Sequence, residues 1–299
     1  MSRSGQPVPT ARALLLGPVL EPLVQEEREV AFFSSIRLEN GTYKATASHR
    51  LDDLNALLLN LLPDAGPLKV MDVAVSSGVT TLELLNTLES AGIHCEITAG
   101  DKSLTALLIT IADSLAVLVD GSGCPLQFDI FGRAIPNPPG GRNLLRHWAP
   151  LFLLKSAKWL CFDRLRPNSD SIRPLSWQRL GVRCRSLALV SPRLKSRPNL
   201  TLIEDDILTN RAIRGSFHII RAANILNKAY FDDRVLHDML LNLHSRLLQR
   251  GLLAVCRTEE DGANHGTIFR ENGKGQFDVA AQLGHGSEIE SNVLAVGHN

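Results

Sequence analysis

The chain has no CxxC pair, and its five cysteines (Cys95, Cys124, Cys161, Cys184 and Cys256) are scattered through 299 residues. That argues against a zinc site or a disulfide framework and fits a reducing, cytoplasmic compartment. No window approaches the ~18 uninterrupted apolar residues that a membrane-spanning helix needs. No internal repeat is visible. Net charge is also nearly absent, at +1, but this small value hides an uneven distribution. From Arg133 to Arg197 there are fourteen Lys and Arg against two acidic residues, Asp163 and Asp170, leaving 18 basic and 29 acidic residues elsewhere. Such asymmetry points one segment toward an acidic partner.

What is present is ordinary for a globular protein, with 44% apolar and 21% charged residues. The length suits one large domain, or a domain with a substantial insertion. Residues 1–50 read as an N-terminal extension. Arg3 and Arg12 precede a short apolar run, Ala13–Leu20, broken by Gly17 and Pro18. It reads as a mobile arm that lays a few leucines on the domain, with a targeting sequence as the weaker reading.

The chain is organised around Leu68–Leu84. An apolar run ending near Val73 has the look of a buried parallel strand. Small residues follow at Ala74, Ser76, Ser77 and Gly78, then a helical pattern from Thr80 that Gly92 is placed to end. A strand, a tight loop and a helix N-terminus bring backbone amides close to a ligand. Upstream, Leu51–Leu62 reads as a helix stopped by Pro63. Downstream, His94–Ala99 reads as a second strand with Asp101 at its end. A hairpin is expected across Asp120-Gly121-Ser122-Gly123, and a loop at Ile135–Gly141. Beyond a basic stretch, the pattern predicts strands at Leu200–Ile203, Phe217–Ala222 and Leu252–Cys256. A helix is expected over Asp232–Arg250, ended by Gly251, and a hairpin about Asn272-Gly273-Lys274-Gly275. This order predicts an α/β, Rossmann-like, mostly parallel sheet with an antiparallel C-terminal hairpin, plus a basic-apolar insertion after strand 2 at about 104–186.

Two ligand frames compete for the loop. GxGxxG fails on the bulky Val79, whereas DxGxGxG maps onto Asp72, Ala74, Ser76 and Gly78 with small-residue replacements. On these residues the chain resembles class I S-adenosylmethionine-dependent methyltransferases. The resemblance implies that Asp72, Ala74, Ser76 and Gly78 hold the methionine portion of S-adenosyl-L-methionine. It gives Asp101 the ribose hydroxyls and Asp206, or alternatively Asp205, the adenine amino group, with Ile207 beside the ring. Ala and Ser in place of glycine cost little if the backbone there keeps φ negative, and more if it does not. Phe217 to about Ala254 is also similar to chemotaxis-receptor methyltransferases, which puts Asn224 and Tyr230 at a methyl-transfer pocket. His218 reads as structural, and His265 as a loop residue able to reach the pocket.

The resemblance implies a domain over 51–299 that transfers a methyl group to an acceptor such as an apolar or anionic small molecule or a lipid. The other readings are a non-catalytic cofactor-binding sensor or scaffold, and a protein methyltransferase. The stretch Asn143–Leu165 interleaves Leu145, Trp148, Phe152 and Trp159 with Arg146, Lys155, Lys158 and Arg164. It suits a lid, or a site at 135–180 for a small-molecule or lipid-like substrate with peripheral contact to an anionic membrane. A nucleic-acid surface fits it less well. No metal is expected.

Overall fold

A computed structural model describes residues 7–37, 44, 47–62, 66–121, 123–136, 176–179 and 182–297. Helices α1 (Ala11–Leu15), α2 (Pro22–Ser35) and α3 (Asp52–Leu59) precede β1 (Leu68–Val73), α4 (Val79–Ser90) and β2 (Cys95–Asp101). The next strands are β3 (Thr105–Ala112), β4 (Leu115–Asp120), β5 (Pro125–Ile130), β6 (Arg133–Pro136), β7 (Ser176–Arg179) and β8 (Val182–Ala188). The chain closes with β9 (Leu200–Glu204), β10 (Phe217–Ala223), α5 (Asp233–Arg246), β11 (Leu247–Thr258), β12 (Asn264–Glu271), β13 (Phe277–Leu283) and α6 (Glu290–Leu294). These form two compact units: residues 47–102 with 194–299, and residues 1–46 with 103–193.

The first unit holds a seven-stranded sheet in the order β13-β12-β11-β10-β1-β2-β9. Strands β9, β2, β1, β10 and β11 run parallel, while β12 and β13 add antiparallel. The alternation along each strand fills two cores. Leu68 and Val70 pack with Leu54 and Leu58 of α3 and Leu84, Leu85 and Leu88 of α4. Met71 and Val73 pack on the other face with Leu236, Leu240 and Leu243 of α5. Each such leucine, fully buried, is worth about 1.5–3 kcal/mol. Helix α4 ends as its glycine predicts. Gly92 takes φ 74°, and the amides of Gly92 and Ile93 reach back to the carbonyls of Glu89 and Leu88.

Helix α5 ends four residues earlier than the sequence suggests. Asp232 caps its start through a bond from the Val235 amide, but Leu247 is already extended and begins β11. Arg246 is buried and bonded to Asp205, which fixes the last turn. Gly251 serves a different purpose. The pairing of β10 with β11 jumps from Phe217–Leu247 to Ile219–Leu252, and a Cβ at Gly251 would lie 2.8 Å from the Leu248 carbonyl oxygen.

The second unit is a six-stranded antiparallel sheet, β6-β5-β4-β3-β8-β7. The hairpin expected at 120–123 joins β4 to β5. Ile135 and Pro136, read from sequence as loop, belong to β6. The N-terminal arm is not loose. Ala11, Leu14 and Leu15 of α1 and Phe32 and Phe33 of α2 are buried against Ala106, Leu108, Ala116 and Leu118. Arg12 pairs with Asp129 at 2.7 Å, and the fully buried Glu29 accepts from Arg193 and Ser191. Residues 1–46 and 103–193, which track the expected 1–50 extension and 104–186 insertion, cluster as one compact unit. The whole aromatic-basic stretch Asn143–Leu165 of the insertion lies outside the described residues.

Candidate functional site

The parallel sheet brings four strand ends side by side, those of β10, β1, β2 and β9. The loop after β1 is left-handed at alternate residues: Ala74 at φ 58°, Ser76 at 55° and Gly78 at 76°. Only glycine adopts this region without penalty, so Ala74 and Ser76 stand where the backbone favours glycine. Gly78 is required twice over, because a Cβ there would also lie 2.6 Å from a Leu194 methyl carbon. The loop is held from below. The Val75 amide donates to the Gly100 carbonyl, and the Ser76 amide donates to Asp101 Oδ2 at 2.8 Å. Asp101, the last residue of β2, thus ties the loop of β1 to its neighbouring strand.

Asp72 has its carboxylate engaged within the fold. It is buried, and its carboxylate receives Arg221 Nε at 2.9 Å, Arg221 Nη2 at 2.6 Å and the Thr81 hydroxyl at 2.6 Å. Arg221, wholly buried on β10, also donates to Asn55 Oδ1 and to the Thr80 carbonyl. Asp72 therefore locks β1, β10 and the first turn of α4 together beneath the loop. Around this pair lie polar groups without an internal partner, among them Arg50 Nε, Asn55 Nδ2 and Glu83 Oε2. Burial pushes the Glu83 carboxyl up from its ordinary range, and burial followed by the nearby Arg221 lowers the Arg50 guanidinium.

The two acidic residues after β9 separate clearly. Asp205 is buried, gripped by both Arg246 Nη atoms and by Asn210. Asp206 is reachable: its Oδ1 accepts the Leu208 amide at 3.0 Å, and its Oδ2 lies 3.0 Å from the exposed Lys102 ammonium. Asp101 and Asp206 are half-buried, whereas Asp205 is buried. Ile207 is buried in the core with Met71 and Val73.

The residues expected to line a transfer pocket lie in different settings. Asn224, at φ 59°, donates to the Thr258 hydroxyl and accepts from the Thr258 amide at 2.7 Å. Thr258 in turn donates to Asn264, whose amide bonds Asp53 and the Arg50 carbonyl. This chain of bonds pins the turn before α3 to the ends of β10 and β11. Tyr230 is 69% exposed on a surface turn. His265 stacks on His285 and accepts that residue's amide, and His218 accepts the Lys69 amide, the structural role expected of it. Cys256 and Cys95 are pushed up by burial to about 12 and about 11, so neither is a nucleophile at neutral pH. Among the described residues no group of His, Cys, Asp or Glu is arranged to hold a metal, and no helix is long and apolar enough to cross a membrane.

Sequence reasoning missed Arg221, Arg246 and Lys102. The first had a signal: an arginine inside the apolar run Phe217–Ala223 must find a buried acidic partner, since arginine is almost never fully buried unless paired.

No protein-family profile matches the chain, and no curated protein matches it by sequence. Solved structures similar to it include the CMeT domain of the citrinin polyketide synthase, at 17% identity and a TM-score of 0.34, over 70% of this chain and 35% of that one. Another is an S-adenosylmethionine-dependent methyltransferase from Mesorhizobium loti, at 10% identity and 0.31, over 68% and 53%. A third is phosphoethanolamine N-methyltransferase 1 of Haemonchus contortus in complex with phosphoethanolamine and S-adenosylhomocysteine, at 13% and 0.31, over 69% and 25%. The matched region spans about a quarter to a half of the length of these proteins. Likeness at this level carries no conclusion about chemistry.

Proposed function

We propose that the unit built on the seven-stranded sheet binds S-adenosyl-L-methionine and that the chain is a methyltransferase. The observation that carries this reading is the bond from the Ser76 amide to Asp101 Oδ2, which couples the tight loop after β1 to the carboxylate ending β2. With Asp206 accessible at the end of the adjacent β9, the three strand ends fit an adenosine-containing ligand. Asp101 would take the ribose, a task suited to a carboxylate that accepts two hydroxyls. Asp206 would take the adenine amine. The N-terminus of α4 would face the carboxylate of the amino-acid end. The bound cofactor supplies an electrophilic methyl group on a sulfonium. The residues of the chain bind and orient, and alignment is the main requirement of an in-line displacement, so the lack of an evident general base among the described residues does not oppose it.

A second reading, a cofactor-binding sensor or scaffold without turnover, is favoured by one observation. The side chain of Asn224 is committed to Thr258, and Tyr230 is out in solvent. The acceptor is assigned on residue pattern alone, as a small-molecule or lipid-like substrate at 135–180 with peripheral contact to an anionic membrane. Deleting 135–180 from a folded protein without any change in methylation would sink that assignment.

Calorimetric titration with S-adenosylmethionine and S-adenosylhomocysteine tests the cofactor reading. Binding by both, weakened at least about ten-fold by Asp101→Ala, is the expected result. Each tenfold loss corresponds to about 1.4 kcal/mol. Binding by neither, or binding indifferent to that substitution, overturns it. Product formation across cell-lysate fractions then separates enzyme from sensor.

A further inference from the structure

We propose that Lys102 sets the affinity and base specificity of the adenosine site by competing for Asp206; the inference rests on the cofactor reading above. Lys102 follows Asp101 directly, and its Nζ lies 3.0 Å from Asp206 Oδ2. The carboxylate itself is held in place. Its Oδ1 accepts the Leu208 amide, and the Asp206 carbonyl accepts the amides of Thr209 and Asn210. Oδ2 is thus the oxygen turned to the ammonium. Asp205 offers no substitute, since Arg246 and Asn210 occupy its buried carboxylate.

The partners differ in freedom. The Lys102 side chain is 78% exposed, whereas that of Asp206 is 27% exposed. An exposed ion pair contributes little and dissolves easily. An adenine amine arriving at Asp206 therefore displaces or shares with the lysine at a small but finite cost. Lysine offers only donors, so it cannot bond the adenine amine, but it can donate to a base that carries a carbonyl in the amine's place. Lys102 consequently narrows the preference of the site for adenine over hypoxanthine.

The test is titration of S-adenosylhomocysteine and of its inosine analogue into the wild type, Lys102→Ala, Asp206→Asn and the double variant. Thermal melts serve as a folding control. Lys102→Ala should tighten S-adenosylhomocysteine by about two- to five-fold at low ionic strength, the range of an exposed ion pair. The gain should shrink at about 0.5 M salt, where screening makes charge–charge interactions short-ranged. It should vanish in the Asp206→Asn background. The inosine analogue should bind the alanine variant no better than the wild type. An unchanged or weaker S-adenosylhomocysteine affinity in Lys102→Ala, or an equal gain for both ligands, overturns the proposal. If no variant binds either ligand, nor S-adenosylmethionine, the cofactor reading itself has failed.

Discussion

At the scale of single residues, the loop after β1 and the ion pair beneath it make opposite demands. Ala74 and Ser76 hold left-handed backbone at φ 58° and 55°. That region costs a residue with a Cβ about 1–2 kcal/mol, against about 0.5–1 kcal/mol of extra chain entropy lost by glycine. Ala74→Gly and Ser76→Gly should each raise stability by about 0.5–1 kcal/mol in chemical denaturation. Destabilisation by either would mean that the side chain contributes more than the strain. Arg221 behaves the other way. Arg221→Met leaves Asp72 buried and unpaired and should cost about 3–5 kcal/mol, most of it recovered by the double variant Arg221→Met, Asp72→Leu. Additive losses in that double variant would contradict the pairing.

At the scale of elements, the hairpin β12–β13 rests on one carboxylate. Glu271 Oε2 accepts the Arg250 amide at 2.7 Å and Oε1 the Gly275 amide at 2.8 Å, so the residue fixes both the bulge in β11 and the turn after β12. Burial alone would push its pKa up, but the amides of Arg250, Gly275 and Gly273 outweigh it and hold it below its ordinary value of 4.5. A carboxylate depressed in the folded state stabilises above its unfolded pKa, and that contribution is lost as pH falls through the folded value. Unfolding free energies of the wild type and Glu271→Gln from urea titration should therefore differ by about 1–2 kcal/mol at pH 7 and converge on acidification below 4.5. A constant gap across pH would rule the charge out. Glu83 has the opposite sign. Burial raises it, so Glu83→Gln, which keeps an acceptor for the His49 amide, should be neutral or mildly stabilising at pH 7.

At the scale of the whole molecule, the two units have separate cores, and their stabilities should be separable. Phe32 is fully buried between α2 and the antiparallel sheet. Phe32→Ala should remove about 3–5 kcal/mol from that unit. Hydrogen exchange should show lost protection in β3, β4, β5 and β8, with β1, β2 and β10 still protected. Uniform loss across both sheets would show that the chain unfolds as one.

The sequence by itself determined the elements of the parallel sheet. The strands near residues 70, 97, 202 and 220, the helix ended by Gly92 and the C-terminal hairpin follow from short-range periodicity and turn chemistry, which a linear reading captures. It also placed Asp101 at the end of a strand and Asp206 just past one, because strand ends are set by the same local pattern. Tertiary structure decided everything that depends on a partner distant in the chain. Asp72 was legible as an acidic residue ending a strand, but only folding brought Arg221 to it, across 149 positions. The same folding buried Asp205 against Arg246, gave Asp206 the lysine beside it, and joined residues 1–46 to a sheet that begins at residue 105. A carboxylate reads alike in sequence whether it faces a ligand or a buried arginine; burial and the partner supplied by another strand make the difference.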